Sequence, residues 1–295
     1  MKCSPFWRSI NLDGGRIYMT RLERLLFLNK ILLNEMPRYR EEADAFPKTV
    51  HAQRRLLRSL MNVRPAGEIS QDFLSEQDIL LQEEAAEKGI VSLSDLPTVA
   101  DESNGDSASH EIPANKMILW QGDITRLAAD GIVNAANSAL LGCFVPCHAC
   151  IDNAIHSAAG VQLRNACDRL MKEQGHEEPT GKAKITSAFN LPSRYVLHTV
   201  GPIIAAGSNP TAKETELLSD CYRSCLELAA RHQLQSLAFC CISTGEFHFP
   251  REQAAHIAVK TVSDWLTYHD NAMTVVFNVF KDEDMKVYRK MLEIK

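Results

Sequence analysis

From Lys116 onward the chain repeats one pattern: a short apolar run, a polar break, then a longer amphipathic run. Met117-Ile118-Leu119-Trp120, Gly131-Ile132-Val133-Asn134, Lys184-Ile185-Thr186, Tyr195 to Val200, Ser236 to Ile242 and Thr274 to Phe280 read as strands. Ile151 to Lys172, Thr215 to His232, Glu252 to Tyr268 and Asp284 to Glu293 read as helices. In the helix after Thr215, Leu217, Leu218, Cys221, Cys225, Leu226 and Ala229 recur at helical spacing and predict its inner face. Strands this apolar must be covered on both faces. Alternation with helices meets that need through a largely parallel sheet between helical layers.

The preceding residues obey a different period. Leu22, Leu25, Leu26, Leu32, Leu33 and Met36 form one helical stripe that Pro37 ends. A second helix covers Pro47 to Asn62, and a third follows Ser70 and stops near Gly89. Arg54, Arg55 and Arg58 look like a solvated or partner-facing edge of the second. Residues 19–96 are therefore expected as a helical subdomain. The polar, small-residue run around Ala100 to Ser109 makes 97–113 a linker, and 114–295 the α/β domain. Residues 1–18, ahead of a second methionine at Met19, are expected to be an untranslated or disordered leader.

Charge and cysteine content narrow the function classes. A net charge of −5 gives no support for a broad nucleic-acid or anionic-membrane surface. The longest apolar stretch, Leu22 to Leu33, is broken by Glu23, Arg24, Asn29 and Lys30, too short and too charged for a membrane span. The N-terminal residues lack a secretory h-region. Nine cysteines, an odd number in a 295-residue chain, favour a reduced cytoplasmic protein over a disulfide framework. In that setting clustered Cys points to metal or catalysis.

The densest chemistry is Gly142-Cys143-Phe144-Val145-Pro146-Cys147-His148-Ala149-Cys150, feeding a helix that carries Asp152 and His156. Cys143, His148 and Cys150 supply the thiolate and imidazole donors Zn2+ prefers, and three protein ligands leave one position open. The alternatives are a buried Cys cluster, or a structural zinc closed by Cys147 or His156. Asp152 fits a helix cap or a carboxylate that orients or deprotonates a water. Ser243-Thr244-Gly245 after a strand suits a phosphate or a plain turn. Asp123 after another strand suits an exocyclic amine or a cap. Asn134-Ala135-Ala136-Asn137 suits sugar hydroxyls or a turn. Walker A and Rossmann glycine patterns are absent, which removes support for ordinary ATP or NAD redox use.

Taken in order, these segments resemble the macrodomain family over residues 116–292. The matching stretches are Gly122-Asp123-Ile124-Thr125, Ile132 to Asn137, Cys150 to His156, Thr180 to Thr186, Tyr195 to Pro202 and Ile242-Ser243-Thr244-Gly245. The resemblance implies a three-layer α/β/α fold with a mixed, mostly parallel sheet. It also implies ADP-ribose binding and, in many members, its hydrolytic removal from modified proteins. The Cys-rich segment and Leu60-Met61-Asn62-Val63-Arg64-Pro65 are similar to a zinc-dependent branch.

That branch implies one Zn2+ per chain on Cys143, His148 and Cys150. It implies Asp123 and Ile124 at the adenine, Asn137 and Asp152 at the distal ribose, and Ile151 among the ADP-ribose contacts. Ser243, Thr244, Gly245, Glu246 and Phe247 would cradle the diphosphate and ribose, with Phe280 stacked on adenine. Cys147 stands where an apolar residue is expected, as a candidate fourth thiol. The implied activity is a glycosidase-type mono-ADP-ribosylhydrolase, with Asp152 and Asn137 as catalytic residues and carboxylate-linked protein as substrate. A lipoyl-carrier protein is the partner suggested by family context. The alternative is a non-catalytic ADP-ribose reader with structural zinc, since fold alone does not settle function. The helical block would recognise the partner or brace the sheet.

Overall fold

The computed structural model describes residues 19–103, 113–205, 207–269 and 273–294. The expected leader 1–18, and 104–112 of the expected linker, lie outside the described residues.

The helical block comprises α1 (Arg21–Glu35), α2 (Arg40–Asp44), α3 (Val50–Val63) and α4 (Gln71–Lys88). Helix α1 starts at a reciprocal cap. The Thr20 hydroxyl accepts from Glu23 N, and the Glu23 carboxylate accepts from Thr20 N at 2.8 Å. Leu25, Leu28 and Leu32 of α1 meet Leu56, Leu57 and Leu60 of α3 and Phe73 and Leu80 of α4 in one core. Burying each such side chain contributes about 1.5–3 kcal/mol before entropy is counted. The Arg edge of α3 is not uniformly solvated. Arg54 pairs with Glu84 at 2.6 Å, and Arg58 turns onto His148 and Asn153, while Arg55 is exposed.

The chain continues through β1 (Val91–Ser92), α5 (Val99–Glu102), β2 (Met117–Gln121), β3 (Leu127–Ala128) and β4 (Gly131–Ala135). Strand β1 pairs with β3 and ties the helical block to the α/β unit. Part of the stretch expected as linker is ordered, because α5 has its own capping box and Val99 sits in the sheet unit's core. Next come α6 (Ile151–Ala159), α7 (Val161–Gln174), β5 (Ala183–Ser187) and β6 (Tyr195–Thr199). The last elements are α8 (Ala212–Arg231), β7 (Ser236–Phe239), α9 (Arg251–Tyr268), β8 (Thr274–Val279) and α10 (Asp282–Leu292).

The main sheet runs β2-β8-β7-β4-β6-β5, parallel except for β5, which is antiparallel to β6. Side-chain alternation along β6 defines the layers. His198 meets Cys167 of α7, while its neighbour Thr199 faces Cys221 and Cys225 of α8. Helices α8, α9 and α10 pack side by side on that second face. The fold is thus three-layered with a mixed, mostly parallel sheet, as expected.

The helix expected over Ile151 to Lys172 is two helices broken at Gly160. Gly160 has φ +96°, and a Cβ there would stand 2.6 Å from Gln77 Nε2 and from Gln162 Oε1. Gln77 belongs to α4 and accepts from Val161 N at 3.0 Å, so the break is where the helical block docks. Among the described residues no helix is long and apolar enough to cross a membrane.

Candidate active site

Parallel strands β2, β8, β7, β4 and β6 present their carboxyl ends along one edge of the sheet. Most of the residues singled out in the sequence come directly after those ends, the usual place for a ligand in an open α/β sheet. Asp123 follows β2, Phe280 follows β8, Ser243 to Phe247 follow β7, and Asn137 to Cys150 follow β4.

The loop after β4 is folded back tightly. Asn137 Nδ2 donates to Gly142 O at 3.1 Å and lies 3.5 Å from Asp152 Oδ2. Gly142 has φ +79°, and a Cβ would meet the His156 ring at 2.8 Å, so only glycine fits this approach. The loop ends at Cys150, whose Sγ caps α6 by accepting from Asn153 N at 3.4 Å.

Cys143, His148 and Cys150 bring one donor atom each within 4.8 Å of one another, all half-buried. Cys143 Sγ is 3.7 Å from His148 Nδ1. Burial, with the neighbouring Cys143 thiol adding to it, pushes the Cys150 thiol up to about 12 against the lowering effect of Asn153 N–H. Two adjacent thiols and an imidazole form a soft donor set that fits a divalent cation, whose binding displaces the thiol protons. Cys147 points elsewhere: its Sγ lies 3.3 Å from Ser59 Oγ on α3.

Asp152 sits in the first turn of α6, 6% exposed. Burial raises its carboxyl to about 6, with Asn134 and Arg164 opposing. Asn134 Nδ2 donates to Asp152 Oδ1 at 2.8 Å and stands 3.2 Å from His198 Nδ1. His198 Nδ1 is therefore the acceptor, and its Nε2–H donates to Thr186 Oγ1 at 3.0 Å. Burial holds His198 neutral, with its pKa down to about 3. His156 Nε2 lies 3.5 Å from Asp152 Oδ1 without a hydrogen bond. Burial also keeps His156 neutral, so the contact is not an ion pair.

The other loops converge from either side. Ser243 has φ +63° and a buried Oγ with no hydrogen-bond partner, lying where a Cβ on Gly201 would be only 2.0 Å away. Glu246 Oε1 is 3.8 Å from His148 Nε2, which brings the 243–247 loop against the Cys-rich loop. Asp123 Oδ1 accepts from Thr125 N at 3.0 Å, so the cap reading holds for that oxygen. Its Oδ2 lies 3.7 Å from Lys88 Nζ of α4. Ile124 is buried, while Phe280 is 73% exposed and free to stack. A cavity of about 150 Å³ between α3, α4 and α6 touches Asp123, but Asn137, Cys143, His148 and Asp152 do not line it.

Sequence reasoning assigned no place in the site to Thr186, His198, Arg58 or Asn62, and offered Asn134 only for sugar hydroxyls or a turn, not as the partner of Asp152 and His198. The available signal was a polar residue inside an apolar strand, as in Val133-Asn134 and Leu197-His198. A buried polar group needs a partner, and here the two are each other's.

The family model for the Macro domain matches residues 133–258. The chain is 52% identical over 274 residues to a protein-ADP-ribose hydrolase of Treponema medium, covering 93% of this chain and all of that protein. The chain belongs to the macrodomain family. Solved macrodomains agree in fold. One from Oceanobacillus iheyensis, with ADP, is 40% identical, with a TM-score of 0.55, and covers 60% of this macrodomain protein and 90% of that chain. One from Trypanosoma brucei, in complex with ADP-ribose, is 29% identical, with a TM-score of 0.59, covering 79% and 94%.

Proposed function

We propose that this macrodomain protein is a zinc-dependent hydrolase that removes mono-ADP-ribose from carboxylate side chains of modified proteins. The relatives named as protein-ADP-ribose hydrolases support the reaction class. The observation that carries the reading is the grouping around Asp152: a carboxyl raised to about 6, an amide on each oxygen, and the Cys143–His148–Cys150 cluster two residues upstream.

The substrate lies along the carboxyl edge. Adenine stacks on Phe280 near Asp123 and Ile124. The diphosphate runs over Ser243 to Phe247, where the unpartnered Ser243 Oγ offers a hydrogen bond. The distal ribose reaches Asn137, Ile151 and Asp152. Asn137 orients the ribose. Asp152 takes a proton from the attacking water, whose oxygen bonds to the anomeric carbon as the bond to the target oxygen breaks. A carboxylate leaves with the electron pair and needs no proton, so one base suffices. One zinc on Cys143, His148 and Cys150 would supply a Lewis acid beside that ribose.

A cytoplasmic location fits the described cysteines, all of which are free. A lipoyl-carrier protein is our candidate for the modified partner. The test is release of ADP-ribose from a carboxylate-linked mono-ADP-ribosylated protein, with Asp152→Ala alongside. Release by wild type alone supports the hydrolase. Tight ADP-ribose binding with no release from any linkage rejects it in favour of a reader.

A further inference from the structure

The helical block grips the Cys-rich loop with three side chains of α3. Asn62 Oδ1 accepts from Cys147 N at 2.9 Å, and Asn62 Nδ2 donates to Ser157 Oγ at 3.0 Å. Arg58 Nη2 donates to His148 O at 3.2 Å and, at 2.7 Å, to Asn153 Oδ1. Ser59 Oγ faces Cys147 Sγ. Asn153 relays the grip. Its Nδ2 donates to Val145 O at 3.0 Å, while its backbone N–H donates to Cys150 Sγ.

The loop needs holding. Cys147, between the ligating side chains, has φ +53°, a left-handed conformation that a residue with a Cβ resists. The bond from Cys147 N to Asn62 secures that residue, and the bond from Arg58 secures the next. Arg164 of α7 completes the junction by donating to Leu141 O, before the loop, and to Met61 O at the end of α3.

We propose that α3 is a positioning element for metal binding. Arg58 and Asn62 hold residues 143–150 in the shape that gathers Cys143, His148 and Cys150, and so set the affinity for a divalent cation. The proposal rests on the zinc site of the proposed hydrolase and says what in this chain makes that site tight.

Zn2+ affinity of the full-length protein is measured by competition with a chromophoric chelator, for wild type, Asn62→Ala, Arg58→Ala and Arg58→Lys. Arg54→Ala is the control, because Arg54 pairs within the block with Glu84 and touches no loop residue among its hydrogen bonds. Loss of groups that orient metal ligands typically weakens binding about 10–100-fold. That range is expected for Asn62→Ala and Arg58→Ala. Arg58→Lys should fall between, since an ammonium lacks the planar fork that reaches His148 O and Asn153 Oδ1 together. The thiolate-to-cobalt absorption of Co2+-loaded protein should shift in the Asn62 and Arg58 variants and stay unchanged in Arg54→Ala. Affinities within about twofold of wild type in the Asn62 and Arg58 variants overturn the proposal alone, as does equal weakening by Arg54→Ala. A wild type that takes up no zinc overturns the metal reading and this proposal with it.

Discussion

Two Cys/His triplets flank Asp152, and the same residue types meet opposite surroundings in them. Cys143, His148 and Cys150 sit half-buried on a loop. His156, Cys167 and His198 are buried on α6, α7 and β6, their donor atoms likewise within 4.8 Å of one another. In the second triplet burial pushes the Cys167 thiol up to about 12 and His198 down to about 3, so both are neutral. His198 spends its nitrogens on Asn134 and Thr186, and Cys167 Sγ lies 3.6 Å from His198 Nε2. Donor type and proximity thus do not tell the two triplets apart. Accessibility, and the hydrogen bonds that occupy both His198 nitrogens, distinguish the two triplets, and on that ground the half-buried one is our proposed ligand set.

Asp152 joins the two triplets, and its replacement is expected to have the largest effect. Asp152→Ala should lower turnover by about 100-fold or more, the range for a lost general base, while ADP-ribose affinity changes only a few-fold. Parallel kinetics and calorimetry check this. Matching losses of turnover and affinity would remove Asp152 from the chemistry.

Serine replacements then set one triplet against the other. Cys143→Ser should cost turnover about tenfold or more through the lost ligand, with the melting temperature in the presence of chelator close to wild type. Cys167→Ser should do the reverse, costing about 1–3 kcal/mol of stability for a poorly partnered buried hydroxyl while turnover persists. Identical profiles for the two variants would erase the distinction between the triplets.

Disturbing the buried network through His198 should be felt at the site only indirectly. His198→Ala unpairs Asn134 and Thr186 and should lower stability by about 2–4 kcal/mol in urea titrations, with zinc content preserved. Zinc loss in this variant would make the two triplets one unit.

The smallest effect concerns pH. His198 has a folded-state pKa near 3, against 6.5 for an ordinary histidine. On acidification the unfolded chain takes up this proton first. The stabilising contribution is complete above 6.5 and is lost as pH falls towards 3. Between pH 7.5 and 5.5 this histidine should cost about 1 kcal/mol. His156 is shifted the same way, and Asp152, raised by burial, opposes over its own range. The difference between wild type and His198→Asn isolates the His198 share. Equal pH slopes in the two proteins would show that the imidazole is not held neutral.

Much of the fold was readable because its strands are apolar and its helices periodic. The break at Gly160 was not, because its cause is Gln77, which arrives from α4. The Cys-rich loop stood out because its donors fall within eight residues. His198 did not, and the link from Asn134 to it did not either, because a polar residue inside an apolar strand shows no partner until the strands are paired, and these two are register partners on β4 and β6. Arg58 reads in sequence as one edge of a helix, and Asn62 as that helix's last residue. Their contacts with residues 147–157 span about 85 to 95 positions, which no local pattern encodes.

The most direct test is elemental analysis of purified wild type, Cys150→Ser and Cys167→Ser after dialysis against a trace of zinc. About one zinc per chain is expected in wild type and in Cys167→Ser, and essentially none in Cys150→Ser. Zinc that persists in Cys150→Ser, or disappears in Cys167→Ser, would contradict that expectation by moving the metal to the buried triplet.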